Sequence, residues 1–127
     1  MMCNTAQMQI RETLQTYFDS MFESDAEKVR EAFHANARIT GDTPEGFVEM
    51  TVADFASFVG AQPAASEAGE APYLEVLSLD VHGDTAVARV RDDYIGSRYL
   101  DTLSFVKRDN RWSIYNKLFH IEGPSEG

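Results

Sequence analysis

Apolar residues recur at Ile10, Leu14, Tyr17, Phe18, Met21 and Phe22, a spacing that lines one face of a helix over residues 6–23. Ser24-Asp25-Ala26-Glu27 reads as a capping box, in which the serine hydroxyl serves an orphan N–H and the glutamate reaches back. It opens a second helix over Ala26, Val29 and Phe33. After His34-Ala35-Asn36-Ala37 the period changes. Residues 38–50 predict two short strands around Gly41-Asp42-Thr43-Pro44-Glu45-Gly46, a run of turn formers. Thr51 with Asp54 signals a third helix that buries Val52, Phe55, Ala56 and Val59 and ends at Gly60. Residues 61–72, rich in Ala, Glu, Gly and Pro, have no apolar period and predict a loop. From Tyr73 to Ile121 the chain reads as a meander of four long strands, turned at Gly83-Asp84, Gly96-Ser97 and Asp109-Asn110. Residues 122–127 read as a solvated tail. Helices first and antiparallel strands last predict one α+β domain with the helices on one sheet face.

Two-residue loops at those turns set Val81 opposite Ala86, Tyr94 opposite Tyr99 and Lys107 opposite Trp112, and the period of two assigns every side chain to a face. One face collects Leu77, Leu79, Val81, Ala86, Ala88, Val90, Leu103, Phe105, Trp112, Ile114 and Leu118, and belongs under the helices. Its exceptions cluster. Glu75, Asp92 and Asp101 share a row, with Tyr94, Tyr99 and His120 in the next and Asn116 nearby. The opposite face receives Val76, Arg89, Arg91, Asp93, Arg98, Tyr115, Lys117 and Phe119, a mixture suited to solvent or a partner chain.

Carboxylates crowded on a dehydrated face raise at least one pKa, which suits a general acid or base at neutral pH. Asp101 is the first candidate and Asp92 the second. A bulge between residues 88 and 95 would turn Asp92 outward and bring Asp93 in, and Glu75 near a strand start reads as solvated. His120 has an exposed or structural role as its bland alternative. Asn116 on a core face needs hydrogen-bond partners or a ligand. His34 follows the second helix and either caps its carbonyls or points its ring into a pocket.

The charge is the sum of 11 Lys and Arg and 21 Asp and Glu, a net −10 over 127 residues. That balance argues against a binder of nucleic-acid phosphates and otherwise reflects solvated helix faces and loops. Eight Phe, five Tyr and one Trp argue against disorder. Cys3, the only cysteine, rules out an intrachain disulfide or a Cys-based zinc site and reads as an exposed thiol. His34, His82 and His120 are too scattered to suggest a metal. The first 25 residues lack a long apolar run after a basic start, so neither a signal peptide nor a membrane span is expected and the cytoplasm is the default. There is no P-loop, dinucleotide glycine pattern or serine-nucleophile elbow.

Phe33-His34-Ala35-Asn36-Ala37, Gly83-Asp84-Thr85-Ala86-Val87-Ala88, residues 99–107 (YLDTLSFVK) and residues 111–119 (RWSIYNKLF), in this order and spacing, resemble the nuclear transport factor two-like superfamily. Its members include SnoaL-like polyketide cyclases and ketosteroid isomerases, and within it the chain looks like the putative lumazine-binding family. The resemblance spans residues 6–121. It implies a cystatin-like cone, with three N-terminal helices packed on a strongly curved, mainly antiparallel sheet. A pocket would lie between the first helix and the concave face, and the outer face would form a homodimer. It implies a small aromatic or polycyclic ligand; no cofactor and no metal are expected. Tyr17, Met21, His34, Phe55, Tyr94, Asp92, Leu103, Asn116 and Leu118 would contact the ligand. If the protein is an acid/base isomerase, dehydratase or cyclase, Asp101, Tyr99 and His120 would be the catalytic residues, with Asp101 and Tyr99 or Tyr17 matching the residue types of ketosteroid isomerases. A binding domain without chemistry and a dimeric accessory domain without a ligand are the alternatives.

Overall fold

A computed structural model describes residues 5–125. Cys3 and the last two residues of the expected tail lie outside them. The amphipathic stretch forms α1 (Thr5–Glu23), which buries Ile10, Leu14, Tyr17, Phe18, Ser20 and Met21. The corner that follows is built differently from the predicted capping box. Ser24 takes a left-handed φ of 55° to turn the chain, and Asp25 is the N-cap of α2 (Ala26–Ala32), its carboxylate accepting from the backbone N–H groups of Glu27 and Lys28 at 3.0 and 3.3 Å. Thr51 caps α3 (Val52–Gly60) as expected, accepting from the Asp54 N–H at 3.1 Å, and Val52, Phe55, Ala56 and Val59 face inward.

The strands are β1 (Phe33–Thr43), β2 (Gly46–Thr51), β3 (Leu74–His82), β4 (Thr85–Tyr94), β5 (Ser97–Arg108) and β6 (Arg111–Pro124). They form one sheet in the order β2-β1-β6-β5-β4-β3, in which only the β1–β6 pair is parallel. β1 starts directly after α2, earlier than the sequence pattern suggests, because Phe33, Ala37 and Ile39 are all buried. The α1 stripe packs against Ala86, Ala88, Val90, Leu103, Phe105, Trp112 and Ile114 from the concave face. The Thr13 hydroxyl ties helix to sheet by donating to the Trp112 carbonyl at 3.0 Å. The 61–73 loop is anchored too, with the Ser66 N–H donating to the Phe22 carbonyl at 3.0 Å.

The register departs from the expected one at the second turn and at three bulges. The β4–β5 turn is Ile95-Gly96, so Tyr94 pairs with Ser97 and Asp92 with Tyr99. A shift of two keeps every side chain on its expected face, and Asp92 and Asp101 become diagonal neighbours. A bulge at Leu77 in β3, between the Val76–Val90 and Ser78–Arg89 pairs, turns Glu75 and Leu77 outward and Val76 inward. In β6, Ser104 pairs with Asn116 but Phe105 with Ile114, leaving Tyr115 as an extra residue. A one-residue slip exchanges the faces of everything beyond it. Asn116, Leu118 and His120, expected under the helices, are therefore exposed on the outer face, and Lys117 and Phe119 point inward. A further shift at Glu122 extends β6 into the supposed tail, where Glu122 holds Arg91 in a two-pronged ion pair at 2.7 and 3.1 Å. Among the described residues no helix is long and apolar enough to cross a membrane.

Candidate functional site

The tapering interior leaves a cavity of about 400 Å³ between α1, α3 and the far ends of the strands, within the size range of small-molecule sites. Its walls are mostly apolar: Ile39, Met50, Phe55, Phe58, Phe119 and Ile121. The β1–β2 turn and the β4–β5 turn, with exposed Glu45 and Ile95, form its rim. Polar side chains interrupt the lining, Thr43, Glu45 and Ser97 beside the two turns and Asp92, Tyr94, Tyr99 and Lys117 along the strands. A second, more polar hollow of about 930 Å³ lies against the 61–73 loop and shares Met21, Tyr94 and Ile95 with the first.

Behind the Asp92 wall lies a buried acidic cluster. Asp92 and Asp101 are 1% and 0% exposed. The β4–β5 pairing without a bulge carries both inward, while Asp93 turns out to bind Arg98 at 2.8 and 3.1 Å. Tyr17, one turn before Met21 on the buried face of α1, donates its hydroxyl to Asp101 Oδ2 at 2.6 Å. Asp92 Oδ2 and Asp101 Oδ1 are left without a hydrogen-bond partner among the described residues. Two ionised carboxylates there would lack donors, whereas one proton held between them satisfies both oxygens. Burial above all, then the charge and hydrogen bonding of Asp101, push the Asp92 carboxyl well above the usual carboxylate range, with Lys117 opposing. Burial also raises the phenols of Tyr17, Tyr94 and Tyr99, reinforced by Asp101 and Asp92 at Tyr17 and Tyr99 and by Tyr99 at Tyr94. All three hydroxyls therefore remain protonated donors at neutral pH.

The structure thus brings together Tyr17, Met21, Phe55, Asp92, Tyr94, Tyr99 and Asp101, and separates others from them. Leu103 is fully buried in the packed core, below the cavity and off its wall. His34 lies outside the cavity: its Nδ1 accepts from the Asn36 N–H at 3.0 Å and its ring packs 5.0 Å from Tyr115. Phe33, one residue earlier, supplies the C-cap of α2. Asn116, Leu118 and His120 are removed by the Tyr115 bulge. The same bulge delivers two side chains that strict alternation assigns to the outer face, Lys117 and Phe119. A signal for it exists in the sequence: Trp112 and Ile114 are at even positions, whereas Phe119 and Ile121 are at odd ones. Among the described residues no three His, Cys, Asp or Glu side chains gather as metal ligands.

The raised Asp92 carboxyl makes stability depend on pH. In the interval between the ordinary carboxyl value of about 4 and the raised folded value, the native state keeps a proton that the unfolded chain has released. Stability contributed by this group then falls as pH rises. Asp92→Asn removes that dependence, so its Tm should gain on the parent protein as pH increases. Thermal unfolding of both proteins from about pH 4 to about pH 9 checks this, and a constant Tm difference would refute the buried proton.

A family model described as putative lumazine-binding matches residues 5–120. Among curated proteins, Aldolase FrzH from Cladobotryum sp is 23% identical over 108 residues, 85% of each chain. Among solved structures, an NTF-2-like protein of unknown function from Silicibacter pomeroyi superposes with a TM-score of 0.88 at 21% identity, covering 96% of this chain and 100% of that one. An NTF2-like protein of unknown function from Shewanella baltica gives 0.84 at 23% identity, covering 95% and 96%. At these identities the structural likenesses establish the shared fold.

Proposed function

The chain belongs to the putative lumazine-binding family of the nuclear transport factor two-like superfamily, and from that premise we propose that its cavity binds a small aromatic or polycyclic carbonyl compound and moves a proton at the carbon beside the carbonyl. The observation that carries this reading is the buried Asp92–Asp101 pair, short of donors for two carboxylates, with Asp92 at the cavity wall and Asp101 behind it. As the cavity-facing oxygen of Asp92 takes the substrate proton, the shared proton passes to Asp101, which the Tyr17 hydroxyl holds in place. Tyr99 or Tyr94 donates to the developing enolate oxygen. Asp92 therefore touches the substrate in this reading, and Asp101 and Tyr17 act through it. The aldolase name of the Cladobotryum relative is consistent with chemistry that begins by making an enolate.

The test uses β-tetralone, a bicyclic aromatic ketone, in deuterated buffer. The protein should form a complex visible by native mass spectrometry and accelerate loss of the ketone's α-proton NMR signals. A complex without exchange would reduce the reading to binding alone. The open cavity argues against the third alternative, an accessory domain with a collapsed pocket.

The outer sheet face exposes Leu77, Val87 and Leu118 at 41%, 40% and 54% among charged residues. This mixture supports a homodimer through that face. Light scattering at micromolar concentration should give twice the chain mass of 14.2 kDa, and a monomer mass would sink it.

A further inference from the structure

Lys117 has no part in the proton transfer just described, yet it lines the same cavity and is 5% exposed. Its Nζ lies 3.8 Å from the Met21 sulfur, a weak acceptor. The Phe55, Tyr17 and Phe119 ring centroids are 4.7, 4.9 and 5.9 Å away. Among the described residues no carboxylate comes within the 4.0 Å of an ion pair with it, although its charge is felt at Asp92. Lysines are almost never fully buried unless paired. A structural lysine would normally run its stem along apolar surface and leave its head in water. Here the head is inside, facing a space the size of a small organic molecule.

We propose that Lys117 Nζ is a nucleophile that condenses with the aldehyde or ketone group of the ligand to form an imine, an inference that rests on the carbonyl-ligand reading above. The ammonium passes a proton to the ionised member of the carboxyl pair, and the freed nitrogen lone pair attacks the carbonyl carbon. The carbonyl π electrons move to oxygen, which takes up one of the two protons now on the positively charged nitrogen and so restores the nitrogen lone pair. The resulting neutral carbinolamine is protonated at oxygen by the carboxyl pair, which is thereby ionised again, and expels water as the nitrogen lone pair forms the C=N bond. In sum, ammonium and carbonyl give a protonated imine and one water, with no oxidant or reductant and the positive charge unchanged. The three rings that surround an ammonium therefore surround a planar iminium equally well by cation–π attraction. Tyr94, whose buried hydroxyl lacks a partner among the described residues, is a donor for the departing oxygen. The iminium acidifies the neighbouring C–H bond, and the Asp92–Asp101 pair removes that proton to leave a neutral enamine. The bulge at Tyr115 thus places an electrophile-forming amine in the same cavity as a proton acceptor.

The chain contains Lys28, Lys107 and Lys117, so the two lysines outside the cavity serve as internal references. The full chain is incubated with β-tetralone and sodium cyanoborohydride, and the reduced adduct is mapped by peptide mass spectrometry. Lys117 should be modified about tenfold or more faster than Lys28 or Lys107, as for a nucleophile activated by its pocket. Lys117→Arg, which keeps the cation, and Lys117→Met, which suits the apolar cage, should both lose the fast adduct and still bind β-tetralone by native mass spectrometry. A ketone complex with adducts only on Lys28, Lys107 or the N-terminus overturns the imine alone and leaves Lys117 as a cation facing the ligand oxygen. Neither complex nor adduct overturns the carbonyl-ligand reading together with the imine.

Discussion

Asp92→Asn and Asp101→Asn should each slow α-proton exchange of β-tetralone by about 10²- to 10⁴-fold, the usual worth of a positioned general base. Both substitutions nearly preserve volume, and both residues are fully enclosed, so the loss is chemical and the cavity remains. They act on different halves of one device. Asp92→Asn presents an amide to the substrate carbon where a carboxyl oxygen is required. Asp101→Asn leaves the Asp92 carboxyl in place and buried but removes the neighbour that adds to the effect of burial in lifting its pKa and that receives the shared proton. A weaker base with nowhere to pass its proton is the result. Tyr17→Phe should have a smaller effect, because it deletes a 2.6 Å hydrogen bond to Asp101 and leaves both carboxyls. Exchange rates by NMR, with Tm as the control for folding, decide the matter; exchange that survives either amide substitution unchanged would falsify the carboxyl pair as the base.

Gly41→Ala should be the most damaging small substitution for the fold. Gly41 lies on β1 opposite Phe119 of β6 in the parallel pair. A Cβ built there would stand 2.6 Å from two carbons of the Phe119 ring and 2.6 Å from its carbonyl oxygen. Rotating the ring relieves only the first clash. The second requires the two strands to separate where the sheet switches to parallel pairing. Overpacking of this kind costs about 3 kcal/mol, or roughly 10 °C in Tm for a chain of this size. Phe119 also lines the cavity and faces Lys117 and Tyr99, so the displaced ring would weaken β-tetralone binding too. Thermal unfolding measures the first effect and native mass spectrometry the second. A Tm within about 2 °C of the parent would show that the strands yield more easily than overpacked cores generally do.

Much of the architecture is legible locally. The α1 stripe, the Thr51 cap and the turns at Gly83-Asp84 and Asp109-Asn110 depend on residues a few positions apart, and they occur where the pattern places them. The cap expected at Ser24 falls instead on Asp25, because serine and aspartate both cap and the left-handed turn at Ser24 makes the choice between them. At the site, the pattern places Asp92, Asp101, Tyr94 and Tyr99 on the concave face correctly, because an error of two in register leaves the side-chain parity intact. It misplaces Asn116, Leu118 and His120 because an error of one does not.

The sequence by itself determined the element order, the α+β class, the apolar face of each helix and the presence of carboxylates among core residues, since these follow from side-chain period and turn chemistry within short windows. The tertiary structure decided which carboxylates meet, that Tyr17 from a helix closes on Asp101 from a distant strand, and that Lys117 turns inward. The physical reason is that alternation predicts facing only until a bulge. Whether a strand bulges at Tyr115 depends on the curvature needed to close the sheet over α1, a property of all six strands together.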